Sequence, residues 1–241
     1  FWATLGLRYG STQAQAFTAA GGYNSDYLTQ AYLYAFFGIP GGPVTITPVE
    51  AATGAKAKET GPSYRLSASW RPVPSVTTYA AVATGFRAPV VNARAGSVST
   101  IDPDDLVIPY GADSDKLINY ELGMKGSWLD GRLAANLALY YVDWNDIQVQ
   151  ANRVSDQVQF ATNIGGAYSR GLEFELMAMP NMDWTIALNG SFNRARVDEL
   201  TPQEAAISGT VLGARLAAPE FSASLVASYR FDFIRGSEGN A

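Results

Sequence analysis

Residues 118–141 alternate between apolar and polar side chains with a period of two, and this constrains the fold more than any other feature. In the first half, the apolar positions are Ile118, Tyr120, Leu122, Met124, Gly126 and Trp128, alternating with Asn119, Glu121, Gly123, Lys125 and Ser127. Side chains of a β-strand point alternately to its two faces, so the pattern predicts a strand with one apolar and one polar face. Asp130-Gly131 predicts a tight turn because this dipeptide tolerates positive φ. Residues 133–141 repeat the alternation and complete a predicted hairpin.

The same alternation recurs in six further segments of the chain. They lie near residues 1–9, 64–70, 76–86, 168–176, 184–192 and 221–231. The predicted fold is therefore all-β, with about eight antiparallel strands joined alternately by short turns and long loops. Residues 1–241 are interpreted as one domain, whose long loops at about 11–61, 88–116 and 198–219 all lie on one side.

Tryptophans mark one end of the predicted strands. Those beside short turns are Trp2, Trp70, Trp128 and Trp184, while Trp144 lies toward the other end. Indole is amphipathic and settles at a membrane interface, so a tryptophan rim favours an outer-membrane β-barrel. Alternation alone fits a soluble sandwich or barrel equally well. The membrane barrel is favoured by the tryptophan rim together with the asymmetry of short turns and long loops and with strand lengths near those that cross a bilayer.

Composition excludes several other classes of protein. The chain has no histidine and no cysteine, which removes Ser-His, Cys-His and His-metal catalysis together with thiolate metal sites. We therefore predict no enzyme activity, no cofactor and no metal site. A net charge of −5 without a basic segment argues against a nucleic-acid partner. The densest apolar run, residues 31–39, is too short for a transmembrane helix.

Several motifs resemble, in order and spacing, the barrel of TonB-dependent outer-membrane receptors. They are Gly85-Phe86-Arg87-Ala88-Pro89, Asn119-Tyr120-Glu121-Leu122-Gly123-Met124-Lys125, Leu129-Asp130-Gly131-Arg132-Leu133, Asp146-Ile147-Gln148 and Ser169-Arg170-Gly171-Leu172-Glu173-Phe174-Glu175. The resemblance spans residues 62–231. It implies a transmembrane β-barrel of 22 strands, about eight of them in this chain, around an N-terminal plug domain. It also implies import of a scarce nutrient, such as an iron–siderophore complex, across the bacterial outer membrane with energy from TonB.

The chain departs from this pattern at both ends. It contains no plug domain and no TonB box, and it ends on Gly239-Asn240-Ala241, where the family's barrels usually end on an aromatic residue. We expect an internal piece of the barrel, lacking the plug domain and the final strands, because open sheet edges are costly in lipid. The structural alternative is an independent eight-stranded barrel. The functional alternative is a passive porin or structural barrel without a specific ligand.

Candidate ligand contacts lie at the predicted outer end of the barrel. They are Tyr27, Tyr32, Tyr34, Phe36, Phe37, Arg87, Tyr110 and Trp144. Aromatic side chains stack on sugars or on the organic part of a metal chelate, although packing a long loop against itself is their commoner role. Asp26 predicts the start of a short helix that runs from Tyr27 to about Phe37 and ends at Gly38. The expected partners are TonB, through the absent plug domain, outer-membrane lipid and a small-molecule ligand, with a metal chelate favoured.

Three other features have simpler interpretations. The carboxylates of Asp102, Asp104, Asp105, Asp113 and Asp115 suit calcium, but they lack the ligand spacing of an EF-hand and predict a solvated acidic loop. Glu173 and Glu175 are expected to line a hydrated lumen and to pair with arginines such as Arg65 or Arg230, rather than to form a catalytic pair. Gly165-Gly166 predicts a bend or a bulge.

Overall fold

The computed structural model describes residues 1–21, 35–36, 38, 44–48 and 57–231, and most of these residues are in β-strands. The strands are β1 (Trp2–Ala14), β2 (Phe17–Gly21), β3 (Val44–Pro48), β4 (Ala57–Val73), β5 (Val76–Phe86), β6 (Val90–Val91), β7 (Gly111–Ala112), β8 (Lys116–Trp128), β9 (Leu133–Asn152), β10 (Gln159–Ala178), β11 (Trp184–Glu199) and β12 (Phe221–Tyr229). Helix α1 covers Pro202–Ser208. In the described part of the chain, no helix is long and apolar enough to cross a membrane.

Eight of the strands form one antiparallel sheet in the order β1-β4-β5-β8-β9-β10-β11-β12. The pairs β2-β3 and β6-β7 form two separate two-stranded sheets, whose strands lie in sequence between successive strands of the large sheet. The predicted all-β fold with about eight main strands is confirmed. Within the described ranges, β1 and β12 each pair on one side only, so the sheet is not closed. This differs from the independent eight-stranded barrel that was the structural alternative.

In the observed register, apolar residues lie opposite apolar residues of the neighbouring strands, so the two faces of the predicted hairpin continue across the sheet. Leu122 lies opposite Leu139, which in turn lies opposite Leu172. This side of the sheet, called the apolar face here, is open to its surroundings, and Leu122 is 57% exposed. Glu121 lies opposite Tyr140 on the other side, the polar face. A slip of one residue would exchange the two faces, so the alternation itself selects this register.

The short-turn end of the sheet carries the predicted tryptophan rim. Trp2 pairs with Ser69, the neighbour of Trp70, while Trp128 ends β8 and Trp184 begins β11. The predicted turn at Asp130-Gly131 is confirmed. Asp130 and Gly131 have φ of 53° and 86°, and Leu129 also adopts positive φ, at 55°.

The strands continue into ranges that the sequence predicted as loop. β1 pairs with β4 as far as Ala14 and Ala57, so both strands enter the predicted loop at about 11–61. The polar residues there give no apolar alternation and therefore no strand signal. β9 and β10 remain paired up to Asn152 and Gln159, which confirms that they project beyond the apolar zone. The range 198–219 contains the end of β11 and helix α1.

Apart from Ala81 in the middle of β5, the buried apolar residues of the described chain lie at the loop end of the sheet. One cluster joins Ile108, Ala151 and Phe160. A second joins Ile147, Ile164 and Ala167, with Trp144 packed against it. A wall one sheet thick has no interior of its own, so burial occurs where loops fold over the strand ends.

Candidate functional site

Asp115 is the centre of a buried polar cluster where the β5–β8 connection rejoins the sheet. Its side chain is 1% exposed. It accepts hydrogen bonds from Arg87 Nε at 2.7 Å and Trp144 Nε1 at 2.9 Å, and it forms an ion pair with Arg87. The guanidinium of Arg87 lies 5.0 Å from the centroid of the Trp144 ring, within cation–π range. Two of the predicted ligand contacts, Arg87 and Trp144, are thus brought together around one carboxylate.

Opposing effects act on the pKa of Asp115. Burial raises it because the charged form loses its water. Hydrogen bonds from Arg87 and Trp144 and the charge of Arg87 lower it, and the net pKa lies below the ordinary value of an aspartate. At neutral pH the carboxylate is therefore charged and binds both donors.

The β5–β8 connection, residues 87–115, is called the capping loop here, and it is fastened to the ends of β9 and β10. Asn92 and Ala161 bond reciprocally, the Asn92 amide donating to the Ala161 carbonyl at 2.8 Å and accepting from its N–H at 2.7 Å. Asn163 donates to the carbonyls of Asp113 and Asp146 at 2.9 and 2.6 Å. These bonds satisfy backbone groups of β9, β10 and the capping loop that would otherwise need water as a partner.

Arg153 fastens the capping loop from the β9–β10 turn. Its side chain is 2% exposed and pairs with Asp156 at 2.6 Å. It also donates to the carbonyls of Ser97 and Leu106 at 2.7 and 3.1 Å. The turn around residues 153–156 is confirmed, but this role of Arg153 was not predicted, because its acceptors are backbone groups about 50 residues away.

Three aspartates of the capping loop, Asp102, Asp105 and Asp115, bind backbone groups or an arginine. Asp105 accepts from the N–H of Ser155 at 2.9 Å, and Asp102 accepts from the N–H of Asp104 at 3.1 Å. The prediction of a solvated acidic loop is wrong for Asp115, which is buried by its contacts with Arg87 and Trp144. Over the described ranges, no group of three or more acidic, histidine or cysteine side chains is arranged to hold a metal ion.

The other predicted ligand contacts are described only in part. Tyr110 directly precedes β7 in the capping loop and is 60% exposed. Phe36 is 71% exposed, and it is helical together with Ala35. Gly38 has φ of 65°, a conformation typical of a residue that ends a helix. Tyr27, Tyr32, Tyr34 and Phe37 lie outside the described residues.

The polar face carries a cluster of carboxylates midway along the strands. The hydroxyl of Tyr79 donates to Glu121 at 2.5 Å, and the ammonium of Lys125 lies 5.9 Å from the centroid of the Tyr79 ring. Glu173 and Glu175 line the same depression of about 180 Å³. Three carboxylates therefore share this depression with one ammonium group.

The sequence predicted that Glu173 and Glu175 pair with arginines such as Arg65 or Arg230, but the structure gives Glu175 and Arg230 other partners. Glu175 accepts a hydrogen bond from Asn136 at 2.9 Å. Arg230 pairs with Asp183 at 3.5 Å, beside the short turns. The difference arises because Asn136 lies directly opposite Glu175 in the register, while Arg230 follows the end of β12 at the rim.

An antiparallel meander with an exposed apolar face, tryptophans along the short-turn rim and long connections at the other end defines the wall of a transmembrane β-barrel. The chain matches the family model "TonB dependent receptor-like, beta-barrel" over residues 1–240. It belongs to this family, as the motifs predicted. The family consists of outer-membrane transport receptors rather than enzymes, so the chain is located in the bacterial outer membrane.

Individual relatives match parts of the chain. The ferric-pyoverdine 358 receptor of Pseudomonas putida is 36% identical over 91 residues, which are 35% of this chain and 11% of that receptor. The ferric yersiniabactin uptake receptor FyuA of Yersinia pestis has a TM-score of 0.57 at 21% identity, covering 80% of this chain and 26% of its own. The ferric-catecholate import receptor Fiu of E. coli K12 has a TM-score of 0.56 at 14% identity, and the match covers 94% of this chain and 29% of that receptor. The chain thus spans less than a third of each relative, and the structural matches show a shared fold.

Proposed function

We propose that this chain is part of the wall of a receptor that imports a ferric siderophore, or a similar scarce metal chelate, with energy supplied through TonB. The relatives support an iron cargo, since they include a ferric-pyoverdine receptor and receptors for ferric yersiniabactin and ferric catecholates. The import itself belongs to the complete protein, in which a plug domain would fill the barrel and contact TonB.

The observation that carries the proposal is the fixed capping loop at the outer end of the sheet. Binding costs less when the contacting groups are already ordered before the ligand arrives. Asp115 and Asn92 hold this loop, and Tyr110 and the half-exposed side chain of Arg87 are presented on its ordered backbone. An aromatic ring and a guanidinium suit an anionic chelate with planar ligand groups.

The polar face supports the involvement of a plug domain. Glu121, Glu173 and Glu175 outnumber Lys125 in the depression that they line, so this part of the lumen wall is negatively charged. Such a surface is complementary to basic side chains on a domain seated inside the barrel. Polar contacts hold a plug without a large apolar interface, which allows it to move when energy is supplied.

Uptake by a deletion strain that carries the complete gene tests the proposal. With a panel of radio-iron siderophores that includes pyoverdine, yersiniabactin and a catecholate, we expect saturable uptake of at least one, lost in a TonB-deficient background. Tyr110→Ala should weaken binding of that complex about tenfold, the effect of losing one aromatic contact. The matched control, Arg71→Gln, changes a cation at the opposite rim. Uptake that neither saturates nor needs TonB would instead establish the passive porin.

A further inference from the structure

A row of tyrosines crosses the apolar face towards its loop end. Tyr120, Tyr141 and Tyr168 lie on β8, β9 and β10, with successive ring centroids 6.5 and 6.2 Å apart. Aromatic girdles mark both membrane–water boundaries of a barrel, and the tryptophans mark the boundary at the short turns. The tyrosine row therefore marks the outer boundary of the lipid-covered surface.

Next to the tyrosine row, the apolar face contains a groove of about 910 Å³, called the lipid-side groove here. Its apolar lining includes Leu139, Leu172, Phe192 and Phe221, and the rings of the two phenylalanines lie 4.9 Å apart. Its charged lining consists of Arg170, Arg194, Arg196 and Glu220. The groove thus combines an apolar floor with an excess of positive charge at one end.

Arg170 and Arg194 lie directly opposite each other on β10 and β11. Like charges in directly opposed positions of a sheet repel and destabilise it. The guanidinium of Arg170 also lies 5.3 Å from the centroid of the Tyr168 ring, which places its charge at the level of the tyrosine row. An anion bound by both guanidiniums would turn this repulsion into attraction.

Arg196 extends the positive charge along β11. Its Nη2 donates to Glu220 at 2.9 Å, and Arg215 shares the same carboxylate at 3.2 Å. Its Nη1 is buried and has no hydrogen-bond partner among the residues that the structure describes. One carboxylate therefore serves two guanidiniums, and a buried donor still lacks an acceptor.

The arginines lie at the depth of the outer lipid head groups. Arg194 is separated from Trp184, at the opposite rim, by about ten residues of β11, and about 9–11 tilted residues cross the hydrocarbon core. A charge on the lipid-facing side is far less costly at this interface than at the bilayer midplane. The groove thus has its charges where head groups lie and its apolar floor where acyl chains lie.

We propose that the lipid-side groove binds a phosphorylated, acylated lipid of the outer leaflet. A phosphate group lies between Arg170, Arg194 and Arg196, and an acyl chain runs over Phe192 and Phe221. Guanidinium groups present paired N–H donors that match phosphate oxygens, and the single carboxylate of Glu220 leaves the cluster with a net positive charge for the anion to balance. The apolar floor favours an acylated phosphate over a free one. This site is separate from the outer-end ligand contacts and does not depend on which cargo is imported.

Native mass spectrometry of the complete receptor in a non-ionic detergent tests the proposal. The probes are diphosphorylated lipid A, the same lipid after enzymatic dephosphorylation, and inorganic phosphate. We expect lipid A to bind at least about tenfold more tightly than its dephosphorylated form, and inorganic phosphate not to displace it. The double variant Arg170→Gln/Arg194→Gln should lower the affinity for lipid A about tenfold or more. The matched control, Arg71→Gln/Arg230→Gln, removes two cations at the opposite rim and should not.

Three outcomes would overturn the proposal. Equal binding of the two lipid forms would reduce the groove to an apolar surface, and displacement by inorganic phosphate would make it a free-anion site. Unchanged binding by the double variant would place the lipid elsewhere. The comparison of the two lipid forms uses the unsubstituted receptor, so its result does not depend on whether a variant assembles. Heat-modifiable gel mobility detects a variant that fails to assemble.

Discussion

The carboxylate of Asp115 accepts a hydrogen bond from Nε1 of Trp144 at 2.9 Å, across the junction between the capping loop and β9. The same carboxylate binds Arg87, which follows β5. Arg87 and Asp115 are the first and last residues of the capping loop, so this buried charge connects both ends of the loop to Trp144 in β9. The order of the outer end of this wall therefore depends on a residue of the loop itself.

Asp115→Asn should loosen the capping loop. The substitution removes the charged acceptor of Trp144 and Arg87. We expect a loss of about 1–3 kcal/mol in local stability, and not more, because half-exposed Arg87 recovers hydrogen bonds to water. Hydrogen exchange of the amides in residues 87–115 measures the effect. Asp113→Asn, at an exposed position of the same loop, is the control, and equal protection in the two variants would contradict the anchoring role.

The order of the capping loop should also depend on pH. The pKa of Asp115 is lower in the folded chain than in the unfolded chain. Its stabilising contribution is therefore complete above the unfolded pKa of about 3.9 and is lost as the pH falls through the folded value. We expect amide protection in residues 87–115 to decline in this acidic range and Asp115→Asn to remove that part of the decline. A pH profile that is identical in the two proteins would contradict the assignment.

The sequence predicts the membrane-covered part of the wall well. Between Ile118 and Tyr141 each side chain must meet either an apolar or a polar environment, so the alternation determines strand, face and register together. Beyond the tyrosine row, the bend or bulge predicted at Gly165-Gly166 is also present, as a register shift between Gly166 and Ala167. In the membrane-covered part, local sequence and global fold agree, because a one-residue shift of the strand register would place charged side chains in lipid.

The outer end is predicted less well for a physical reason. Beyond the bilayer neither face of a strand has to be apolar, so the paired residues Ser11 and Thr60 carry no strand signal. The composition of the acidic loop does not indicate which aspartate turns inwards. That depends on Arg87 and Trp144, which are 28 and 29 residues from Asp115 in sequence. Arg153 was missed because its acceptors are backbone carbonyls, which leave no trace in residue type.

The two faces of the sheet can be distinguished by single cysteines in the complete receptor, which offers a direct test because the chain has no cysteine of its own. We expect lipid-phase reagents to label cysteines at Leu122, Leu137 and Leu188. Water-phase reagents should label cysteines at Glu121, Asn136 and Asn189. Each position of the second set adjoins one of the first, so the sets sample the same depth on opposite faces. Reversed labelling would show that the polarity assigned to the wall is wrong.

Asn92→Ala should detach the capping loop from β10. Its side chain makes two reciprocal bonds with the backbone of Ala161, both buried, and alanine leaves that N–H and carbonyl unpaired. We expect a loss of about 2–3 kcal/mol, measured as increased exchange of amides 87–115. Asn92→Asp keeps the acceptor for the Ala161 N–H but turns a buried charged oxygen towards the carbonyls of Ala161 and Pro109, so it should lower the protection at least as much as Asn92→Ala. Protection in Asn92→Ala equal to the unsubstituted protein would contradict the role of this contact.

Gly165→Ala should impair assembly of the wall at the β10–β11 bulge. A Cβ at this position would lie 1.7 Å from the carbonyl oxygen of Glu199, a backbone atom that cannot move without shifting β11. The displacement would also weaken the hydrogen bond from the N–H of Gly165 to Glu204, which is 3.1 Å long. We expect a destabilisation of about 3 kcal/mol, seen as loss of the heat-modifiable folded form. Gly10→Ala in β1 is the matched control, because a Cβ there meets no atom within 4 Å. Equal assembly of both variants would show that the bulge relaxes freely.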